Sequence, residues 1–132
     1  MAVKINWALN VLVDGGPTIS ASDAIEVDAY DIIDVKVPKQ NGATAGTATV
    51  NVAPGAAADV LFLLIKSDIY KPTSLTYKVD GGTKSVKLDS QQTLIGAGAT
   101  GLLDAVPNKL IFTNTGAADA SVRILVGRKA AV

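Results

Sequence analysis

The chain has no cysteine and no histidine. Without cysteine there is no disulfide framework, no thiolate zinc site and no cysteine nucleophile, so a secreted mini-domain that depends on disulfides is excluded. Without histidine the commonest general base and the commonest transition-metal ligand are missing, and neither a serine–histidine triad nor a histidine zinc site can form within the chain. Aromatic residues are scarce, with one Trp, three Tyr and two Phe in 132 residues. The longest strongly apolar run, Val60 to Ile65, has six residues, against the roughly 20 needed for a membrane-spanning helix. The amino-terminal MAVKINWALN is interrupted by polar residues where a secretory signal would be continuously apolar, so neither a cleaved leader nor a membrane partner is expected.

Charge of one sign is not in excess: twelve basic and twelve acidic residues give a net charge of zero. The halves differ, however. Residues 1–66 hold seven acids against four lysines, a balance of −3, and the remainder carries +3. A globally basic nucleic-acid binder is not described by these numbers. A neutral chain lacks charge repulsion between copies, which permits self-association.

What is present is alternation. Val3, Ile5, Trp7, Leu9, Val11 and Val13 are apolar, with Lys4, Asn6 and Asn10 between them. A period of two puts every odd residue of this segment on one side of a strand, and that side is expected to face the core, Trp7 included. Asp14-Gly15-Gly16-Pro17 is a dense turn signal. Ile25–Ala29 and Ile32–Val37 follow as apolar pieces, and Pro38 ends the second. The small, polar residues 41–49 read as a loop entering a strand through Val50 and Val52, and residues 39–47 are the expected exposed arm or loop. Val60–Ile65, apolar on both parities, suits a central strand covered on both faces, with helix as its rival. Leu75–Val79 and Val86–Leu88 around Asp80-Gly81-Gly82 predict a hairpin. Thr93–Ile95 is a short strand, and Lys109–Asn114 with Ser121–Val126 around a Thr115–Asp119 loop is a second hairpin candidate. Eight to ten short strands and no helix of three turns predict an all-β fold, a β-sandwich or jelly roll occupying residues 1–132 as a single domain.

Four features invite chemistry. Gly96-Ala97-Gly98-Ala99-Thr100-Gly101 matches G-x-G-x-x-G after a predicted strand, but Pro107 leaves no room for the helix that would face a pyrophosphate, so a glycine-rich turn is expected and no cofactor. Asp23, Glu26, Asp28, Asp31 and Asp34 are the densest acidic cluster; calcium takes several oxygen ligands, yet the segment lacks a calcium-loop pattern and reads as a solvated strand face. A carboxylate pair for glycoside hydrolysis would also need an aromatic sugar platform. Nothing supplies that platform beside the acids; separately, Trp7, Tyr30, Tyr70 and Tyr77 could line a carbohydrate-binding surface, although strand parity assigns Trp7 to the core. Lys78, Lys84, Lys87, Arg123, Arg128 and Lys129 make the second half basic, without interleaved aromatics, so direct nucleic-acid contact is not expected, nor is a small-molecule ligand.

Ser121-Val122-Arg123-Ile124-Leu125-Val126-Gly127-Arg128 is an apolar strand flanked by arginines. Taken with Leu110-Ile111-Phe112-Thr113-Asn114, the Gly-Ala loop and Thr93-Leu94-Ile95-Gly96-Ala97-Gly98, residues 90–128 resemble small β-rich structural proteins of tailed bacteriophage particles, head-decoration or cement proteins first among them. The resemblance is one of texture and transfers no catalytic positions. It implies a virion protein, assembled in the host cytoplasm, that sits on a capsid lattice, often as a symmetric homo-oligomer. The expectation is therefore a non-enzymatic capsid-associated protein that stabilises the shell through contacts with capsid or other virion proteins. A tail, baseplate or fibre component and a carbohydrate-binding or adhesin module are the alternatives.

Overall fold

A computed structural model describes residues 3–52, 59–70, 74–100, 102–103 and 109–129. The first strands are β1 (Val3–Leu12) and β2 (Thr18–Val27), which among the described residues pair only with each other, antiparallel from Val3 opposite Val27 to Leu12 opposite Thr18. Gly15, at φ 73°, supplies the left-handed residue of the turn, which is closed by the Gly16 amide donating to the Val13 carbonyl at 2.8 Å. The chain then bends at Asp28, so the piece expected over Ile25–Ala29 is divided between two strands.

Eight strands follow: β3 (Ala29–Val37), β4 (Gly46–Asn51), β5 (Asp59–Ser67), β6 (Leu75–Val79), β7 (Val86–Lys87), β8 (Gln92–Ile95), β9 (Lys109–Asn114) and β10 (Ala120–Lys129), with one helical turn, α1 (Ala97–Thr100), after β8. They form two four-stranded antiparallel sheets, β3-β10-β5-β8 and β4-β9-β6-β7. Every connection crosses from one sheet to the other except the β6–β7 hairpin, and this order is that of a jelly roll. The all-β sandwich expected from strand spacing is therefore the observed class.

The core lies between the sheets. Leu63, Ile65, Val122, Ile124 and Val126 from one face meet Leu75, Tyr77, Val79, Leu110 and Phe112 from the other. The Tyr77 and Phe112 rings pack tilted, centroids 5.6 Å apart. Burial pushes the Tyr77 hydroxyl up to about 12, and it donates to Gln92 Oε1 at 2.5 Å. Val60–Ile65 is a strand rather than a helix, inner in its sheet, and a register shift at Leu61 returns Val60 to the core side while Phe62 faces outward.

Two sequence expectations change here. β9 and β10 are not a hairpin: they belong to opposite sheets, and residues 115–119 cross between them. The buried Asn114 organises that crossing, its amide donating to the carbonyls of Val37 and Ala118 and its oxygen accepting from the Gly116 amide. Such a side chain offers local hydrogen bonds in place of a hairpin ladder. Of residues 39–47, expected as the exposed arm or loop, 39–45 are a loop tied down by Lys39 and Gln40, whose amides donate to Asp119 Oδ1 and the Gly116 carbonyl, while Gly46 and Thr47 already belong to β4.

Candidate functional site

The arm is residues 3–27. Its even positions make a polar face on which Lys4 opposes Glu26 and Ser20 donates to Asn10 Oδ1 at 2.8 Å. Its odd positions place Val3, Ile5, Trp7, Leu9 and Val11 opposite Val27, Ile25, Asp23, Ala21 and Ile19. The expectation that β1's odd residues share one face is met; the expectation that this face is core is not. Val27 is buried and Ile5, Trp7 and Ile25 are half-buried, but Leu9 is 56% and Ile19 63% exposed. Parity identifies an apolar face without saying what covers it.

Only the base of that face is seated. The outward side of β10 has no side chain at Gly127, and a Cβ built there would lie 2.7 Å from Ile5 Cδ1, 3.0 Å from Val27 Cγ1 and 3.4 Å from Phe62 Cβ. Glycine at 127 is thus the socket that lets the arm rest on the outer face of the β3-β10-β5-β8 sheet. Beyond this socket the same outer face carries a second row, Ile32–Leu125–Leu64 in register, next to Tyr30. Ile32 is 59% and Tyr30 51% exposed, so the arm does not cover them. Tyr30 and Ile32, both on β3, join the half-buried Leu125 and Leu64 in one contiguous apolar patch, and contiguous patches mark interaction surfaces where single exposed apolar residues do not.

The next row is charged: Asp34, Arg123 and Lys66 lie opposite one another across three strands. Arg123 grips Asp34 with two nitrogens, at 2.8 and 3.3 Å, and that hydrogen-bonded guanidinium holds the Asp34 carboxyl below the usual carboxylate range. These residues, with Lys36, Asp68 and Tyr70, line an open groove of about 780 Å³. Lys36 reaches Asp119 at 3.2 Å, and the Asp119 carboxyl is lowered first by the Lys39 amide and then by Lys36.

The charge asymmetry of the two halves thereby has a structural basis. Acidic β3 lies beside basic β10, with Asp34 on Arg123 and Asp31 on Arg128 at 2.6 Å. The five clustered acids are dispersed: Asp23 is on the arm's apolar face, Glu26 on its polar face, Asp28 at the bend, and Asp31 and Asp34 in ion pairs. Among the described residues no three His, Cys, Asp or Glu side chains gather into a metal-binding group.

Where a glycine-rich turn was expected, Ala97–Thr100 form the helical turn α1 directly after β8. Gly96, at φ 91°, donates its amide to the Leu61 carbonyl, and the buried Thr100 hydroxyl donates to the Val60 carbonyl at 2.8 Å. Gly101 and Pro107 lie outside the described residues. The segment is thus a clasp on the irregular end of β5. The aromatic residues share no platform, since Tyr77 is in the core, Trp7 on the arm, Tyr30 on the outer sheet face, and Tyr70 accepts from the Ser67 amide. The basic residues are divided likewise: Lys78 and Lys87 point outward from the β4-β9-β6-β7 sheet, and Arg123 outward from the opposite one.

The residues that sequence reasoning missed are the socket Gly127 and the outer row of Ile32, Leu125 and Leu64; Tyr30 beside that row stands out in the sequence only as a sugar-stacking aromatic. A signal for the arm existed, because the strong turn at residues 14–17 sets β1 against Thr18–Ala24, too polar on one parity to be buried on both faces. Comparison with known proteins adds no assignment: no family model, no curated protein and no solved structure matches the chain.

Proposed function

We propose that this chain is a non-enzymatic structural protein of a bacteriophage particle, a capsid-associated decoration or cement protein that stabilises the shell through protein–protein contacts. The observation that carries the reading is the arm, a ten-residue-per-strand hairpin with one apolar face, only its base seated on the body. A two-stranded hairpin is marginal in water unless something packs on it, so an arm of this length is accounted for by assembly. The jelly roll is compatible, being used by viral capsid domains, but lectins and cupins use it too and the fold alone assigns nothing. The absence of histidine removes the side chain on which most metal-dependent versions of such chemistry would rely.

A protein that binds an assembled shell stabilises it by mass action. The test compares particles with and without this chain for thermal and osmotic rupture, then titrates the protein back onto stripped shells. The expected result is earlier rupture of stripped particles and saturable recovery on rebinding. Unchanged rupture with no saturable rebinding would overturn the reading. Antibody labelling that decorated tails rather than heads would move the protein to the tail, baseplate or fibre.

A further inference from the structure

We propose that the apolar face of the β1–β2 arm docks on the outer face of the β3-β10-β5-β8 sheet of a second copy of this chain, with Asp23 over the cationic Arg123–Lys66 row. The proposal names the arm's partner within the assembly reading above, but it is tested on purified protein without any particle.

Three observations select a second copy. First, the two surfaces are already joined within one molecule: Ile5 and Val27 of the arm sit over Gly127 of the sheet, which pairs with Phe62. The free part of the arm continues the same face, and Tyr30, Ile32, Leu64 and Leu125 continue the same sheet. What a single chain leaves open on one surface is therefore matched in kind by what it leaves open on the other.

Second, the charges are complementary. Residues 3–27 hold Lys4 against Asp14, Asp23 and Glu26, a balance of −2, so in a neutral chain the rest carries +2. Asp23 is the one charged strand residue on the arm's apolar face. On the outer sheet face Lys66 stands directly opposite Arg123. Like charges facing across strands are unfavourable; Arg123 is engaged by Asp34, and no ion pair of Lys66 occurs among the described residues. A carboxylate brought in by another molecule would relieve that juxtaposition.

Third, the area fits. Residues 7–13 of the arm run about 24 Å, and a two-stranded ribbon is about 10 Å wide, a footprint near 240 Å². In a reciprocal pair the arm and the sheet face of each copy share one interface, about 480 Å² per partner, the size of a weak, transient contact; in a closed ring each interface holds a single arm, about 240 Å² per partner. Contacts of that size are weak singly and gain strength when many copies are held on one lattice.

The experiment is a concentration series of the purified chain in sedimentation velocity, with Trp7, the only tryptophan, as a fluorescent reporter on the arm. The 13.5 kDa monomer is expected to give way to oligomer as concentration rises, and Trp7 emission to shift blue. Leu9→Asp with Ile19→Asp disables the arm, and Ile32→Asp disables the sheet face. All three positions are exposed, and circular dichroism verifies that the body stays folded. Each variant alone should lose roughly tenfold or more in association constant, the size of an interface anchor. Mixing the arm variant with the sheet variant should restore one intact contact and recover association.

The charge contact is tested by exchange. Asp23→Lys and Lys66→Glu should each weaken association, and their combination should recover part of the loss. A chain that stays monomeric throughout the series overturns the proposal, as does a mixture that fails to complement. If the monomer nevertheless rebinds stripped shells through the arm, the cement reading survives and a shell subunit is the arm's partner. Binding of the arm to glycans in place of a second copy would overturn both.

Discussion

β1 and β10 are both ten-residue strands with alternating apolar residues, and they meet opposite fates. In β10 the inward residues Val122, Ile124 and Val126 are sealed against the second sheet. In β1 the corresponding face is half-buried at its base and open to water from Leu9 onward. The difference does not lie in the strand. β10 has neighbours on both edges and a layer beneath it, whereas β1 has β2 alone. Amphipathic alternation specifies that a face needs cover, and topology decides whether the chain itself supplies it.

The contrast should appear first in stability. Phe112 is fully buried in the sandwich, and Phe112→Ala is expected to cost about 3–5 kcal/mol by transfer and cavity terms together. Trp7 is larger but only half-buried, so Trp7→Ala should cost the isolated monomer about 1 kcal/mol, the ordinary size for a site without a filled cavity. Denaturant midpoints at low protein concentration check both. Equal losses would mean that the arm is part of the core and that the division into body and arm is wrong.

The joint between the regions is the next point to break. Gly127→Val inserts atoms where Ile5 and Val27 already lie within 3.0 Å of a built Cβ. Ile5 can swing its terminal methyl aside more readily than the β-branched Val27 can move. The expected loss is about 1–3 kcal/mol if the arm stays seated. If the arm lifts instead, Trp7 emission shifts red and protease cuts the turn at residues 13–17 faster while the body remains intact. No change in stability, emission or cleavage would show that the socket does not hold the arm.

Much of the body was legible in the sequence, and the reason is physical. Turn residues at Asp80-Gly81-Gly82, the β-rich run Val60–Ile65 and the parity of Leu75, Tyr77 and Val79 are local signals, and each corresponds to an observed element. What was not legible is what depends on distant pairing. Lys109–Asn114 and Ser121–Val126 have the spacing of a hairpin, yet Asn114 turns the chain into the other sheet. Gly127 reads as the end of a strand, and only the packed structure shows it as a socket. Within the expected glycine-rich turn, which glycine takes the positive φ was not legible either; it is Gly96. The interaction surface is divided between residues 3–27 on the arm and positions 30, 32, 64 and 125 on the body, so no contiguous motif could reveal it.

Titration sharpens the comparison inside the body. Tyr77 ionises at about 12 in the fold because burial penalises its phenolate, and an unfolded tyrosine ionises near 10. Sign follows directly: the folded state holds its proton longer, so stability is unaffected below about pH 10 and falls from there toward about 12. Ultraviolet titration should show a late tyrosine step, and Tyr77→Phe should remove that step together with the alkaline loss of stability it causes. A late step that persists in Tyr77→Phe would place the buried phenol elsewhere.

The smallest expected effect lies on the outer face, where the arm of another copy is proposed to land. The Asp34 carboxyl is lowered chiefly by its hydrogen bond to Arg123, and that of Asp119 chiefly by the Lys39 amide. Both folded values lie below the unfolded one, so each group stabilises the fold above the usual carboxylate range, and that contribution fades as pH falls through the folded value. Asp34→Asn should therefore be slightly less stable than the parent at pH 7 and indistinguishable from it at strongly acid pH. Salt separates the two sites. The Asp34–Arg123 pair is exposed on both sides and should lose its pH-7 advantage in 1 M salt, where screening acts over about 3 Å. The Asp119 contribution rests first on a 2.8 Å backbone hydrogen bond, a short-range contact that salt does not screen in the same way. Urea midpoints of Asp34→Asn and Asp119→Asn, each at two pH values and two salt concentrations, test this. An Asp34→Asn difference that survives high salt would show that the pair acts through geometry, and the outer face would then be a rigid platform rather than a field of exposed charges awaiting a partner.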